Sequence, residues 1–358
     1  MSRVWDVPVN DSTRVRDVRV AAETASGHAG LPPHRTAVAA LVATELATNL
    51  VKHADGGHIV INLVDRLPAD ADRTSVQIAS LDHGPGIPHI DVALRDGYTT
   101  TATSLGAGLG TCLRLSNDFD LHSTPGRGTV AVARIDHEPA VRQAVRHPPE
   151  PEARAGGITV SFVQAEESGD AWTWASADRR VTLMLADGLG HGREAAHAST
   201  AAVRELRRTA HLAPAAILRH LHDALRSTRG AAVATAQLET DTGQLRFAGV
   251  GNVGARLHTA DGWQPLVSHP GIVGAAFPAT VPVQQVPWRR DSLLVMHSDG
   301  LPGRWTPPND TSLLNRAPAV VAAAVLRDAS SAARPARDDT SVAVLSPQHW
   351  TPAHDRHL

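Results

Sequence analysis

Along residues 34–54, HRTAVAALVATELATNLVKHA, apolar positions recur at helical spacing among strong helix formers, which predicts one long amphipathic helix. Beyond it, HIVINLV (58–64) and SVQIASLD (75–82) run apolar or alternate as strands do. Residues 105–118 read as a glycine-started helix, and GTVAVARI (128–135) as a closing strand. Helix, strands, helix and strand in that order predict an α+β sandwich with its helices on one face of a sheet. A second patterned region starts at 157. There GITVSFVQA (157–165), RVTLMLAD (180–187), AAVATAQLE (231–239), QLRFAGV (244–250), SLLVMHSD (292–299) and TSVAVL (340–345) read as strands. Helices at 192–210 and 213–227 separate the second strand from the third, and another at 317–329 precedes the last. Many strands with a paired helical insertion predict two sheets flanked by helices. Between the two regions, HEPAVRQAVRHPPEPEARAGG (137–157) is rich in Pro and charge, lacks an apolar period, and reads as a linker.

Composition changes this picture little. A chain of 358 residues is comfortable for two domains. With 34 basic and 36 acidic residues the formal charge is −2, so nothing argues for nucleic acid or an anionic membrane as partner. The single cysteine, Cys112, excludes an intramolecular disulfide framework and a thiolate zinc cluster, which fits a reducing cytoplasm. The first twenty residues lack the apolar core of a signal peptide, and no window approaches the ~18 apolar residues of a membrane span. A soluble, cytoplasmic protein is expected.

Candidate chemistry gathers in two sets. In the first region, Glu45 and Asn49 stand one helical turn apart and share a face. Asp82 ends a strand and opens DHGPGI (82–87), whose Gly84 and Gly86 let the backbone turn. SLGAGLG (104–110) brings Gly106, Gly108 and Gly110 to a helix start, where free N–H groups and the helix dipole favour phosphate. A carboxamide and a carboxylate beside such a helix end suit Mg²⁺ and a reacting hydroxyl. ELATNLVKHA, DHGPGI and SLGAGLGTCLRLSNDFDLHSTPGRGT resemble the three nucleotide-binding boxes of the GHKL (HATPase) superfamily, most closely its RsbT-like and anti-sigma switch kinases. That resemblance implies a GHKL α/β sandwich over residues 1–136, with helices on one face of a mixed sheet. It implies that Asn49 coordinates Mg²⁺ and that Glu45 is the base for a protein hydroxyl. Asp82 would bind the adenine amino group, Gly84 and Gly86 shape its pocket, and Gly106, Gly108 and Gly110 cover the phosphates of ATP.

In the second region, aspartates recur at expected strand ends: Asp170 in ESGDAW, Asp187 in LADGLGHG, Asp299 in HSDGL, and Asp338 and Asp339 in RDDTSVAVL. Converging carboxylates repel and raise one another's pKa values, and divalent cations are the simplest compensation. Oxygen ligation favours Mg²⁺ or Mn²⁺, and two such ions can activate water for in-line attack on phosphorus. The ordered motifs, with DGLGHGREAAHAS and AGVGNVGARL (248–257), resemble PP2C-type, SpoIIE- and RsbX-like serine/threonine phosphatases. That resemblance implies a PP2C-like αββα sandwich over 157–346, a linker at 137–156 and a tail at 347–358. It also implies two metals held by Asp187, the Gly188 carbonyl, Asp299 and Asp338, with Asp170 a further ligand and Asp339 behind them. The joint expectation is a partner-switching regulator that removes phosphate from serine or threonine on a STAS-domain antagonist or stressosome-type protein. Its first domain either phosphorylates such a partner or binds ATP and a partner, a sigma factor among the options, without catalysis.

Overall fold

The computed structural model describes residues 3–65, 74–94, 108–139, 153–162, 167–303, 305–329 and 338–347. The first region comprises β1 (Val4–Val9), α1 (Arg14–Ala29), α2 (Pro33–His53), β2 (Gly57–Asp65), β3 (Thr74–Leu81) and α3 (Ile90–Ala93). It is completed by α4 (Gly108–Leu115), β4 (Asp118–Thr124) and β5 (Gly128–Ile135). Pro33 starts α2 where its missing N–H has no helical partner to lose. The strands form one sheet in the order β1-β2-β3-β5-β4. Every pairing described in it is antiparallel, where the expectation was a mixed sheet. Strands β2 and β3, and β4 and β5, follow one another directly, so the chain doubles back rather than crossing over.

Helices α1, α2 and α4 pack on one face of this sheet. Val18, Leu46 and Leu50 meet Ile59, Ile61, Ile78, Phe119 and Leu121 in one buried core. The alternate residues of the same strands, Val60, Ala79, Leu81, Val130 and Val132, are buried as well, but against the second region. This double burial is why β2 and β3 read as continuous apolar runs rather than alternating ones.

The second region contains β6 (Ala153–Val160), β7 (Asp170–Ala177), β8 (Arg180–Gly188), α5 (Arg193–Thr209), α6 (Pro214–Leu225), β9 (Ala231–Glu239) and β10 (Gln244–Val250). It continues with β11 (Gly254–Thr259), β12 (Gly262–Leu266), β13 (Gln284–Pro287), β14 (Leu293–His297), α7 (Thr311–Leu314), α8 (Pro318–Ala329) and β15 (Thr340–Pro347). Two antiparallel sheets, β13-β10-β9-β8-β7 and β12-β11-β14-β15-β6, stack on a core that includes Leu183, Phe247, Leu257 and Met296. Helices α5 and α6 cover the outside of the first sheet and α8 the outside of the second. This is an αββα sandwich. Strand β6 begins at Ala153, inside the stretch expected to be linker, because Ala153 pairs with Pro347 at the far end of β15.

Helix α8 is buried along Pro318–Arg327 because it lies between two sheets, its own and that of the first domain. Each large aliphatic side chain enclosed there contributes about 1.5–3 kcal/mol. Polar contacts frame this core. Arg316 meets Asp120 at 3.3 Å, Arg127 meets Asp328 at 3.1 Å, and Arg207 meets Asp65 at 2.6 Å.

Candidate functional site

The first site lies where α2, the loop after β3 and the start of α4 meet. Glu45 and Asn49 are half-buried on α2 and face Gly108 at the first turn of α4. A Cβ on Gly108 would stand 3.0 Å from Glu45 Oε2 and 3.5 Å from Asn49 Oδ1, so a bare backbone lets the helix start approach both. Gly110 is buried two residues on, and Gly106 lies outside the described residues. Asp82 is buried, and its Oδ1 accepts the N–H of Gly84 at 2.9 Å and of Thr129 at 3.0 Å. Burial pushes its carboxyl above the usual carboxylate range. Gly86 sits against the Thr124 backbone. Behind Glu45, burial raises the Cys112 thiol to about 12, which leaves it inert as a nucleophile.

Thr129 and Gly128 were not singled out in the sequence, yet they hold Asp82 in place. Gly128 has φ +97°, and a Cβ there would lie 2.1 Å from the Asp82 carbonyl oxygen. The run TPGRGT before β5 was their signal.

The second site is a rim of aspartates in the αββα sandwich. The β7–β8 register sets Asp170 directly opposite Asp187. Asp299 follows β14, and Asp338 and Asp339 precede β15, the strand that pairs with β14. Burial, then Asp299, Asp338 and Asp339 together raise Asp187 to about 7. Asp170 is pushed well up, by burial first and by Asp187 next. Asp299 is raised by burial and by Asp338. Among the described residues no three His, Cys, Asp or Glu side chains close on one point as a finished ligand set; the carboxylates stand side by side.

Their supports differ. Asp339 is committed to the backbone, accepting the N–H of Phe162 at 2.6 Å and of Gly169 at 2.5 Å. Asp299 accepts the Asn252 amide at 2.6 Å. Asp170 takes hydrogen bonds from Ser298 and Ser341, while its Oδ2 has no partner. Gly188 ends β8, bonds to the Gly169 carbonyl at 3.1 Å, and abuts α5 so closely that a Cβ would sit 2.2 Å from the Ala195 oxygen. His191 is exposed in the following loop. Asn252, Ser298 and Ser341 carry no separate signal in the sequence beyond their places inside the motifs AGVGNVG, SDGL and DDTS.

The sign of this repulsion is testable. Asp187 binds its proton more tightly folded than unfolded, so the native state holds the extra proton between about pH 4 and 7. Metal-free protein should therefore lose stability as pH rises through that window, by up to about 1.4 kcal/mol per pH unit for one proton. Denaturant melts at pH 5 and 7.5 with chelator should show the fall, and Mn²⁺ should reverse it at the higher pH. A flat chelated profile would contradict the arrangement.

Comparison with known proteins follows this division. Residues 9–134 match the family model of the histidine kinase-like ATPase domain, and residues 177–348 that of stage II sporulation protein E, SpoIIE. The serine/threonine-protein kinase RsbT of Bacillus subtilis (strain 168) is 41% identical over 86 residues, 24% of this chain and 61% of RsbT. The match thus spans less than two thirds of that relative. Among solved structures, a chain from the bacterial stressosome aligns at TM-score 0.48 and 26% identity, covering 54% of this chain and 98% of that one. RsbX in complex with magnesium aligns at TM-score 0.47 and 20% identity, covering 56% and 98%. The fold is an α+β domain joined to an αββα sandwich. The chain thus joins a region that matches the histidine kinase-like ATPase domain to one that matches the SpoIIE family.

Proposed function

We propose that the protein is a partner-switching regulator whose second domain is a metal-dependent serine/threonine phosphoprotein phosphatase. The observation that carries this reading is the rim where Asp170, Asp187, Asp299 and Asp338 crowd until Asp187 is raised to about 7. Hard oxygen donors and a buried Asp170 Oδ2 without a partner fit divalent cations of the Mg²⁺ or Mn²⁺ kind. Asp187, the Gly188 carbonyl, Asp299 and Asp338 are the residues to hold two ions, with Asp170 as a further ligand. Bound there, the ions supply an activated water and charge for in-line attack on phosphorus. Asp339 keeps the Gly169 backbone in place beneath them, and Asn252 orients Asp299.

In the first domain, Asp82, Gly84 and Gly86 form the pocket for the adenine of ATP, and Gly108 and Gly110 present α4 to its phosphates, Gly106 belonging to the same glycine run in the sequence. Asn49 is placed to hold Mg²⁺ and Glu45 to accept the proton of an incoming serine or threonine hydroxyl. The partner is a STAS-domain antagonist or a stressosome-type phosphoprotein, so one chain would add and remove the same phosphate.

The test is incubation of the full chain with a purified STAS-domain partner, ATP and Mn²⁺, following the partner by mass. Phosphoprotein should appear when ATP is supplied and disappear when ATP is removed. Glu45→Ala should reduce phosphorylation by at least about a hundredfold while leaving nucleotide binding near wild type. Retained ATP binding with no phosphoprotein would make the first domain a nucleotide-gated binding module that can sequester a partner such as a sigma factor.

A further inference from the structure

We propose that Asn62, in the ATPase sheet, is a positioning residue for Asp170 of the phosphatase rim, acting through Thr159 and Ser341. The inference rests on the phosphatase reading above. Strand β6 is the edge of its sheet, so half of its backbone groups face away from β15. The ATPase sheet supplies their partners. Asn62 donates its Nδ2 hydrogen to the Thr159 carbonyl at 2.9 Å and accepts the Thr159 N–H on Oδ1 at 3.1 Å. One carboxamide thus clamps both backbone groups of one residue, as a neighbouring strand would.

The clamp fixes what Thr159 does on its inner side. Thr159 lies opposite Ser341 in the β6–β15 register. Because its peptide bonds outward, the two form a close, non-hydrogen-bonded pair whose side chains touch. Their hydroxyl oxygens are 2.7 Å apart. Ser341 also bonds to Asp170, and so does Ser298, whose oxygen accepts the Ser341 N–H at 2.9 Å. A carboxylate that holds a metal ion only accepts, so in the metal-bound protein the Ser341 hydrogen would point at Asp170. That leaves the Ser341 oxygen to accept from Thr159. Hydrogen-bond direction therefore runs one way, from Thr159 through Ser341 to Asp170. Asn62, Thr159, Ser341 and Asp170 are all buried, which strengthens these bonds.

The relay holds one side of Asp170 and leaves Oδ2 uncommitted. Residues that orient a metal ligand in this way set metal affinity, and their loss costs about 10–100-fold. Docking of the ATPase sheet would then be part of building the phosphatase centre.

A nearby contact separates this role from docking in general. Gln77, on the adjacent strand, donates to the Gly157 carbonyl at 2.8 Å, an interdomain bond of the same kind that leads to no rim residue. The experiment compares Asn62→Ala, Thr159→Val, Thr159→Ser and Gln77→Ala in the full chain. Mn²⁺ binding is measured by calorimetry and aryl phosphate hydrolysis as a function of Mn²⁺. Asn62→Ala and Thr159→Val should weaken Mn²⁺ binding at least about tenfold, with kcat largely recovered at saturating metal. Thr159→Ser, which keeps the hydroxyl, should restore binding, and Gln77→Ala should leave it near wild type. Unchanged Mn²⁺ affinity in folded Asn62→Ala and Thr159→Val, beside an active wild type, would overturn the relay alone. Equal weakening by Gln77→Ala would overturn it in favour of unspecific docking. A wild type that neither binds Mn²⁺ nor hydrolyses phosphate would remove the phosphatase reading itself, and the relay with it.

Discussion

Asp187→Ala should abolish Mn²⁺-dependent hydrolysis of an aryl phosphate, a loss exceeding the ~100-fold that changes to supporting residues reach. Asp187 faces Asp170 across the β7–β8 pair and feels Asp299, Asp338 and Asp339, so no other rim residue has as many carboxylate neighbours. The same substitution should raise the melting temperature of chelated protein at pH 7.5, since it deletes a half-buried charge that its neighbours repel. Activity and stability move in opposite directions, which misfolding cannot mimic. Hydrolysis that survives the substitution, or that ignores chelators, would sink the two-metal reading.

Gly128→Ala should remove ATP binding from the first domain. The added Cβ would fall 2.1 Å from the Asp82 carbonyl oxygen and 2.8 Å from its Oδ1, and φ +97° is a region that alanine resists. Asp82 and Thr129 bond to each other through both backbone and side chain, so a shift of one carries the other with it. Strain of about 1–3 kcal/mol would be relieved by moving Asp82 out of the base pocket proposed above. Calorimetric titration with ATP should detect no binding, alongside a melting temperature several degrees lower. Wild-type affinity would mean that Asp82 does not anchor the base.

What could be read from sequence follows what each signal depends on. Helix α2 and strands β9 and β10 carry strong apolar periods and were legible almost to the residue. Helix α1 was not, because its buried face is Val18 with Ala21, Ala22, Ala25 and Ser26, too little contrast against the charges between them. Strands β11, β12 and β13 are short and partly exposed, so they lack the run that marks a core strand. The aspartates were legible as strand-end residues, since each lies beside a glycine, a serine or another acid at the end of an apolar run. That Asp170 opposes Asp187 was not, because register is set by pairing rather than composition. Asn62 was present all along as the one polar residue inside HIVINLV. Its partner lies 97 positions away in another domain, and nothing local to either stretch discloses that.

Helix α8 has no free surface between Pro318 and Arg327. Its residues from Pro318 to Arg327 are covered on one side by β6 and β15 and on the other by the ATPase strands. The fusion is therefore not two modules on a tether. An excised SpoIIE fragment would bare one side of α8 to water, and an excised ATPase fragment would bare Val60, Leu81 and Val132. Each half is the other's lid against aggregation, so a ligand bound by either one stabilises both.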